Sequence, residues 1–530
     1  MKTTNVLIAG AGVGGCACAL AACREGLQVI MTEETDWIGG QWTSQATPPD
    51  EHGWIETLGC TALYREVRNR VRNVYRTQRK LTQEALKRSD LNPGDGWVSP
   101  LCAEPKVFLE VLLDMLAPYL QSGQLEIWYQ HRVIRATQNV QQIEHVVCWS
   151  EKDSLEKDVK AQFFVDATEL GDLLPLTGTD FVTGAESQME TGEPSAKKQA
   201  EPSNVQAFSV CFAMGYDEQG DHTIPEPPNY GFWRSFIPNL SPAWPGPLLE
   251  LTGLSPRTLE PVHYRIAPHQ EPNQAFSGLW TYRRILHRDN FEPGVYPSDI
   301  TLVNYPQIDY LLHDLTSKTY QERQKIIEDA KNQSLSFLYY LQTEKGLKGL
   351  YLCPEVMGTS DGLAKSPYIR ESRRIKAMIT ITEQDLSAQH RPTQKAREFS
   401  DSVGIGYYRI DLHPSTGGDN YLDVESLPFQ IPLGALIPQK TENLLPACKN
   451  IGTTHITNGC YRLHPIEWNI GEVVGYLIRF CLDHQSTPQE VYQESKHIRA
   501  FQDRLVARGI ELAWPNDLNL ADGDPHRHAQ

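Results

Sequence analysis

Two sets of residues in this chain have types and spacings that could do chemistry. The first is Gly10, Gly12 and Gly15 in "NVLIAGAGVGGCACALAACREGLQVIMTEE" (5–34), followed by Glu33. Glycines spaced G-x-G-x-x-G suit a diphosphate for three separate reasons. The first permits a tight turn, the second lets the backbone approach the phosphates, and the third lets helix and strand pack closely. The helix that follows presents free N–H groups and a positive dipole end to the anion. Glu33 can accept hydrogen bonds from a ribose diol. The pattern implies dinucleotide binding without separating one dinucleotide from another.

The second set lies in "YIRESRR" (368–374) and "HITNGCYRLHPIEW" (455–468). His464 can serve as a general base or as a donor to a substrate oxygen, or can merely orient its loop. His455 reads as an orienting residue. The guanidinium forks of Arg370, Arg373 and Arg462 suit a carboxylate. Glu371 stands so close to three arginines that one of them is its expected ion-pair partner, and a purely structural ion-pair network is the competing reading. If 368–374 is helical, Arg370 shares a face with Arg373 or Arg374.

The elements that must position these residues are legible in outline. "VLIA" (6–9) suits a buried parallel strand, "CACALAACREG" (16–26) a small-residue helix, and "LQVIM" (27–31) a second strand closed by Glu33. The next stretch, "WIGGQWTSQATPPDEHGWIETLGCT" (37–61), is too polar for a core helix and too aromatic for a linker. "LEIWYQHRVIRA" (125–136) reads as a strand, and "EHVVCWSEKDSLEKDVKAQFFVDATELGDLLP" (144–175) as two strands around a charged turn. "YQERQKIIEDAKNQSLSFLYYLQT" (320–343) has the spacing of a long amphipathic helix. Pro465 suits the first turn of a helix, and Gly471-x-x-x-Gly475 lets that helix pack against the one after the fingerprint. Residues 488–511 read as a helical appendix and 522–530 as a frayed tail.

Together these pieces resemble flavoproteins with a glutathione-reductase-type FAD domain. Within that class they resemble a bacterial family of FAD-dependent oxidoreductases related to fumarate-reductase-type flavoproteins. The resemblance rests on the fingerprint, the Gly39-Gly40 pair after the second strand, and "DATELGDL" (166–173) against a DATGxGDL signature. It extends to "NLLPACKNIG" (443–452) and "NGCYRLHPIEWNIGEVVG" (458–475). It implies a Rossmann-like α/β FAD-binding domain split over 1–175 and 400–490, an inserted α+β substrate domain at 176–399, and a C-terminal helix and tail at 491–530. It implies FAD as cofactor, held by Gly10, Gly12, Gly14, Gly15 and Glu33 and by the loop residues Gly39, Gly40, Gln41 and Ser44. Val133, Ala167, Asp172, Ile451 and Asn469 complete the implied set. Cys448 departs from the pattern, since many relatives carry glycine there.

Charge and absences narrow the activity. Lysine and arginine number 49 against 66 aspartate and glutamate, a net charge of −17, which disfavours a nucleic-acid partner. No apolar run approaches the roughly 20 residues of a membrane-spanning helix. The first strand begins almost at the first residue, so a cytoplasmic location is expected. Eleven cysteines include no Cys-x-x-Cys pair, so no metal site is expected. There is no second glycine fingerprint for NAD(P)H, and "ACKNIG" replaces the GDAAH-type segment of aromatic hydroxylases. The expectation is a dehydrogenase or oxidase that moves hydride between flavin and a small anionic substrate at a C–N, C–O or C–C bond. Oxygen or a separate carrier would be the electron acceptor. The alternative is a flavoprotein of the tRNA-modifying kind, or a non-catalytic FAD-binding subunit.

Overall fold

The computed structural model describes residues 1–139, 141–268, 278–391, 393 and 395–524. Its largest sheet grows from the fingerprint. Strand β1 (Lys2–Ala9) runs into helix α1 (Val13–Arg24) and then β2 (Val29–Glu33). Their apolar runs are buried, and the two strands pair in parallel with Val6 opposite Val29. On the far side of β2 lies β3 (Leu125–Tyr129), also parallel. The remaining strands are β4 (His131–Asn139), β5 (Gln142–Ser150) and β6 (Leu155–Asp166), giving the order β3-β2-β1-β6-β5-β4. The seventh strand, Leu444–Pro446, returns from far along the chain to pair in parallel with β6. This is a mixed sheet with a parallel, Rossmann-type centre.

The single strand expected over 125–136 is two strands. Gln130, at φ +58°, breaks the run in the left-handed region. Its N–H donates to Thr35 O, just past β2, while its carbonyl accepts from Glu151 N, just past β5, so the chain crosses from the one to the other at this residue.

Helix α1 packs against the closing helix, His464–His484, which carries Pro465 in its first turn. Glycine is demanded at this contact. A Cβ on Gly471 would stand 2.0 Å from Gly14 O, and one on Gly475 would stand 2.7 Å from Cys18 O. A second sheet, antiparallel, joins Arg284–Leu286, Ile300–Val303, Phe212–Tyr216 and Leu350–Leu352 in that order. It shares an apolar core with the helix Tyr320–Thr343, whose first turn is closed by a Thr319–Glu322 capping box.

Two further expectations change. Residues 368–374 are not helical. Tyr368 exchanges both backbone hydrogen bonds with Ser209, and Arg374–Ile375 pairs with Phe181–Val182, so the segment is extended. The appendix forms helices at Pro488–Gln493 and Ser495–Ala507, but the chain beyond it is not frayed throughout. Leu520–Gly523 forms a helical turn, and Gly523 O accepts from Gly53 N. Residues 525–530 lie outside the described residues. Among the described residues no helix is long and apolar enough to cross a membrane.

Candidate functional site

Two cavities are lined from the segment 366–370. Over 368–370 the chain is extended and its side chains alternate. Ile369 lines the first cavity; Tyr368 and Arg370 line the second.

The first cavity, about 370 Å³, is formed by the β1–α1 turn, the end of β2 and the chain after β6. Gly10, at φ +94°, makes the turn, and a Cβ there would press to 2.3 Å from Ala167 O. Gly12 lines the cavity, where an added Cβ would press on the end of the Glu169 side chain, at 3.0 Å, and reach Glu467 Oε1 at 3.6 Å. Gly14 and Gly15 secure packing instead: their Cβ atoms would lie 1.7 Å from Ala447 O and 2.3 Å from Gly10 O. Glu33 is 8% exposed. It accepts from Ala11 N through Oε2 and from Thr35 N and Oγ1 through Oε1, yet burial pushes its carboxyl up to about 7.

Gly40, Ser44, Val133, Ala167 and Asp172 also line this cavity. Gly39 lies behind it, its N–H on Ala11 O. Gln41 Nε2 donates to Glu467 Oε2 at 2.6 Å and to Arg462 O at 3.1 Å. Ile451 is fully buried and lines neither cavity. Asn469 spends its amide on Val403 O and also lines neither, so the two residues expected from the closing segment do not reach this opening. Of the tryptophans in the 37–61 loop, Trp42 is a core residue stacked on Phe108.

Two charged groups here, Lys449 and Glu169, escaped the sequence reading. They pair with each other, and Lys449 lies 3.2 Å from Cys448 Sγ. Beside them Gly14 N donates to Glu467 Oε1. Burial raises the Glu467 carboxyl, with Lys449 opposing. The one available signal was Glu169 standing at the glycine of the DATGxGDL pattern.

The second cavity, about 310 Å³, is walled by Tyr282, Tyr305, Tyr368, Tyr408 and Tyr421 and carries charges from distant segments. Arg370 donates to Ala207 O, Ser209 Oγ and Asn304 Oδ1 and pairs with Asp309 at 3.0 Å. Arg462 donates to Tyr368 OH and pairs with Asp411. His413 Nδ1 faces Asp309 Oδ2 at 2.6 Å, so Nδ1 carries the proton and donates it; Nε2 lies 3.9 Å from Asp411. Burial and then Arg370 lower its pKa, favouring the neutral ring. Arg283 faces Asp50 across 3.7 Å. Sequence reasoning missed Asp50, Arg283, Asp309 and His413, because they come from four segments that only the fold brings together.

The other expected residues stand elsewhere. Arg373 donates to Leu170 O and Thr316 O and shares Asp172 with Arg323, in the wall of the first cavity. In an extended chain, residues three apart point to opposite sides, which is why Arg370 and Arg373 part company. Glu371 pairs with Arg374 and His455; against the cost of burial, His455 and then Arg374 hold its carboxyl down to about 2. His464 is fully buried, and its Nδ1 accepts from Asp50 N at 3.1 Å. Burial lowers its pKa to about 3, so the ring is neutral with its proton on Nε2. That Nε2 is buried without a hydrogen-bond partner among the described residues.

A family model described as FAD dependent oxidoreductase matches residues 5–505. No curated protein matches. Among solved structures, the chain is similar to an L-proline dehydrogenase from P. horikoshii at 12% identity and TM-score 0.17, over 34% of this chain and 23% of that one. A glycerol-3-phosphate dehydrogenase from Bacillus halodurans complexed with FAD matches at 11% identity and TM-score 0.24, over 41% and 40%. An anhydrotetracycline hydroxylase from Streptomyces rimosus matches at 13% identity and TM-score 0.32, over 96% and 68%. The chain thus spans under half the length of the two dehydrogenases it matches. The family match, which takes in both cavities, carries the identification: the chain belongs to the FAD dependent oxidoreductase family.

Proposed function

We propose that this enzyme moves hydride between a small anionic organic substrate, held in the second cavity, and FAD, held along the first. One observation carries the reading: along the extended stretch 368–370, Tyr368 and Arg370 line the second, arginine-bearing cavity while Ile369 lines the fingerprint cavity.

The first cavity's residues fit FAD. Gly12 leaves room where a side chain would stand against Glu169, and Glu33 places a buried carboxylate at the end of β2, where a ribose diol would be recognised. Gly10, Gly12, Gly40, Ser44, Val133, Ala167 and Asp172 would hold the cofactor; Gly14, Gly15, Gly39 and Gln41 would support them. When bound, FAD supplies the acceptor for a hydride and its electron pair. The protein's own groups do the rest. Arg283 and the paired Arg370 and Arg462 draw a carboxylate into the second cavity. The tyrosine walls exclude water. His413, oriented by Asp309, takes or returns a proton at Nε2. In this reading the FAD-binding part comprises 1–175 and 400–490, with 176–399 closing over it and 491–530 appended; the strand Leu444–Pro446 in the main sheet supports the split.

The test is anaerobic mixing of the FAD-loaded enzyme with amines, amino acids, hydroxy acids and unsaturated acids. Bleaching by carboxylates, slowed in His413→Gln and with a raised KM in Arg283→Lys, is the expected result. Equal bleaching by neutral analogues would overturn the anionic assignment, and no bleaching by any class would favour a non-catalytic FAD-binding subunit.

A further inference from the structure

We infer that the second cavity recognises a zwitterion, an α-amino acid with an apolar side chain, whose carboxylate meets Arg283 and whose ammonium meets Asp50. The inference rests on the proposal that this cavity holds the substrate, and it narrows the substrate class.

Most charged groups in the cavity are already committed. Arg370 is held by Asp309, Asn304, Ser209 and the Ala207 carbonyl. Arg462 is held by Asp411 and Tyr368, Asp423 by Arg409, and His413 by Asp309. Arg257, more exposed, reaches Asp524 at 3.4 Å. Arg283 and Asp50 differ. They face each other at 3.7 Å, too far for a hydrogen bond, with side chains only 12% and 5% exposed. Arg283 Nε and Nη1 are buried and donate to no acceptor among the described residues. Two buried opposite charges that do not touch bear a desolvation cost without the return of a good contact. A ligand that satisfies both removes that cost.

Electrostatics selects the ligand. A simple carboxylate at Arg283 would stand beside the Asp50 carboxylate, like charge against like. A simple amine at Asp50 would stand beside the Arg283 guanidinium. A molecule with both charges complements both groups, and the 3.7 Å spacing suits charged groups carried by a single carbon, as in an α-amino acid. The tyrosine walls offer apolar faces to the remainder of the molecule, and their rings also favour a cation. Asp50 is fixed for this role from behind, because its backbone N–H donates to His464 Nδ1 and its carboxylate is left to the cavity.

Matched triads test the inference: phenylalanine, phenylpropanoate and phenylethylamine; and leucine, isocaproate and isopentylamine. Binding to the FAD-loaded enzyme is measured by anaerobic calorimetry, with FAD content and Tm as folding controls. In at least one triad the amino acid should bind about tenfold or more tightly than either half, a difference of about 1.4 kcal/mol. Asp50→Asn, which keeps the backbone donor, should abolish the advantage over the deaminated acid. Arg283→Leu should abolish the advantage over the amine, and Arg283→Lys serves where the leucine variant fails to load FAD. A deaminated acid that binds as well as its amino acid overturns the zwitterion and leaves the anionic substrate standing. An amine that binds as well as its amino acid overturns both. No binding by any of these ligands to a fully loaded enzyme overturns the zwitterion.

Discussion

The backbone amide of Asp50 donates to Nδ1 of His464 across 3.1 Å, and this one bond sets what the histidine can do. With Nδ1 occupied as acceptor and burial lowering the pKa to about 3, the ring stays neutral and carries its proton on Nε2. His464 is therefore a donor and not a base. His464→Gln, whose amide can also accept and donate, should keep the FAD content and the pH profile of kcat. His464→Leu should lower kcat on the order of tenfold or more, as the loss of one buried donor does. Loss of a limb from the pH profile in His464→Gln would identify it as the base after all.

Glu33 should make FAD binding depend on pH. Burial raises its carboxyl from 4.5 to about 7, so the apoprotein keeps a proton there that the unfolded chain releases at lower pH. Glu33 thus weakens the apo fold progressively as pH rises from about 4.5 to about 7. The ionised carboxylate is the better acceptor for a ribose hydroxyl, so FAD affinity should rise through neutral pH. Fluorescence titration of the apoprotein with FAD on either side of neutrality should show this rise in the wild type and a flat response in Glu33→Gln. Equal slopes would remove Glu33 from the ribose contact.

The contact between α1 and the closing helix should fail sharply on adding one methyl group. In Gly471→Ala the new Cβ would lie 2.0 Å from Gly14 O, a backbone atom with nowhere to go. Overpacking of this kind costs about 1–3 kcal/mol or more, and the displaced Gly12–Gly15 turn should lose FAD. Gly231→Ala is the control, since nothing lies within 4 Å of its added Cβ. Its Tm should hold or rise, alanine being the better helix former. An unchanged Tm in Gly471→Ala would contradict the packing.

Arg373 should prove a brace. It ties Leu170 and Thr316 carbonyls to Asp172. Arg373→Lys keeps the charge but loses the fork, so Tm and FAD content should fall while the substrate KM stays constant. A raised KM with both others unchanged would return Arg373 to the substrate.

The local parts of the protein were determined by sequence alone. A strand, a glycine turn, a helix and a closing acid within residues 5–34 specify each other through backbone conformation and close approach, which need no distant partner. The same holds for the amphipathic helix Tyr320–Thr343, whose capping box and apolar spacing lie within its own span. Tertiary structure decided the substrate side. Whether Arg370 and Arg373 share a face depends on 368–374 being helical or extended, and Ser209's backbone settles that by pairing with Tyr368. Arg283 opposite Asp50, and Asp309 behind His413, are meetings of remote segments with no mark in their local sequence. Such meetings follow from how sheets and helices pack in three dimensions, and the linear order of residues carries no record of them.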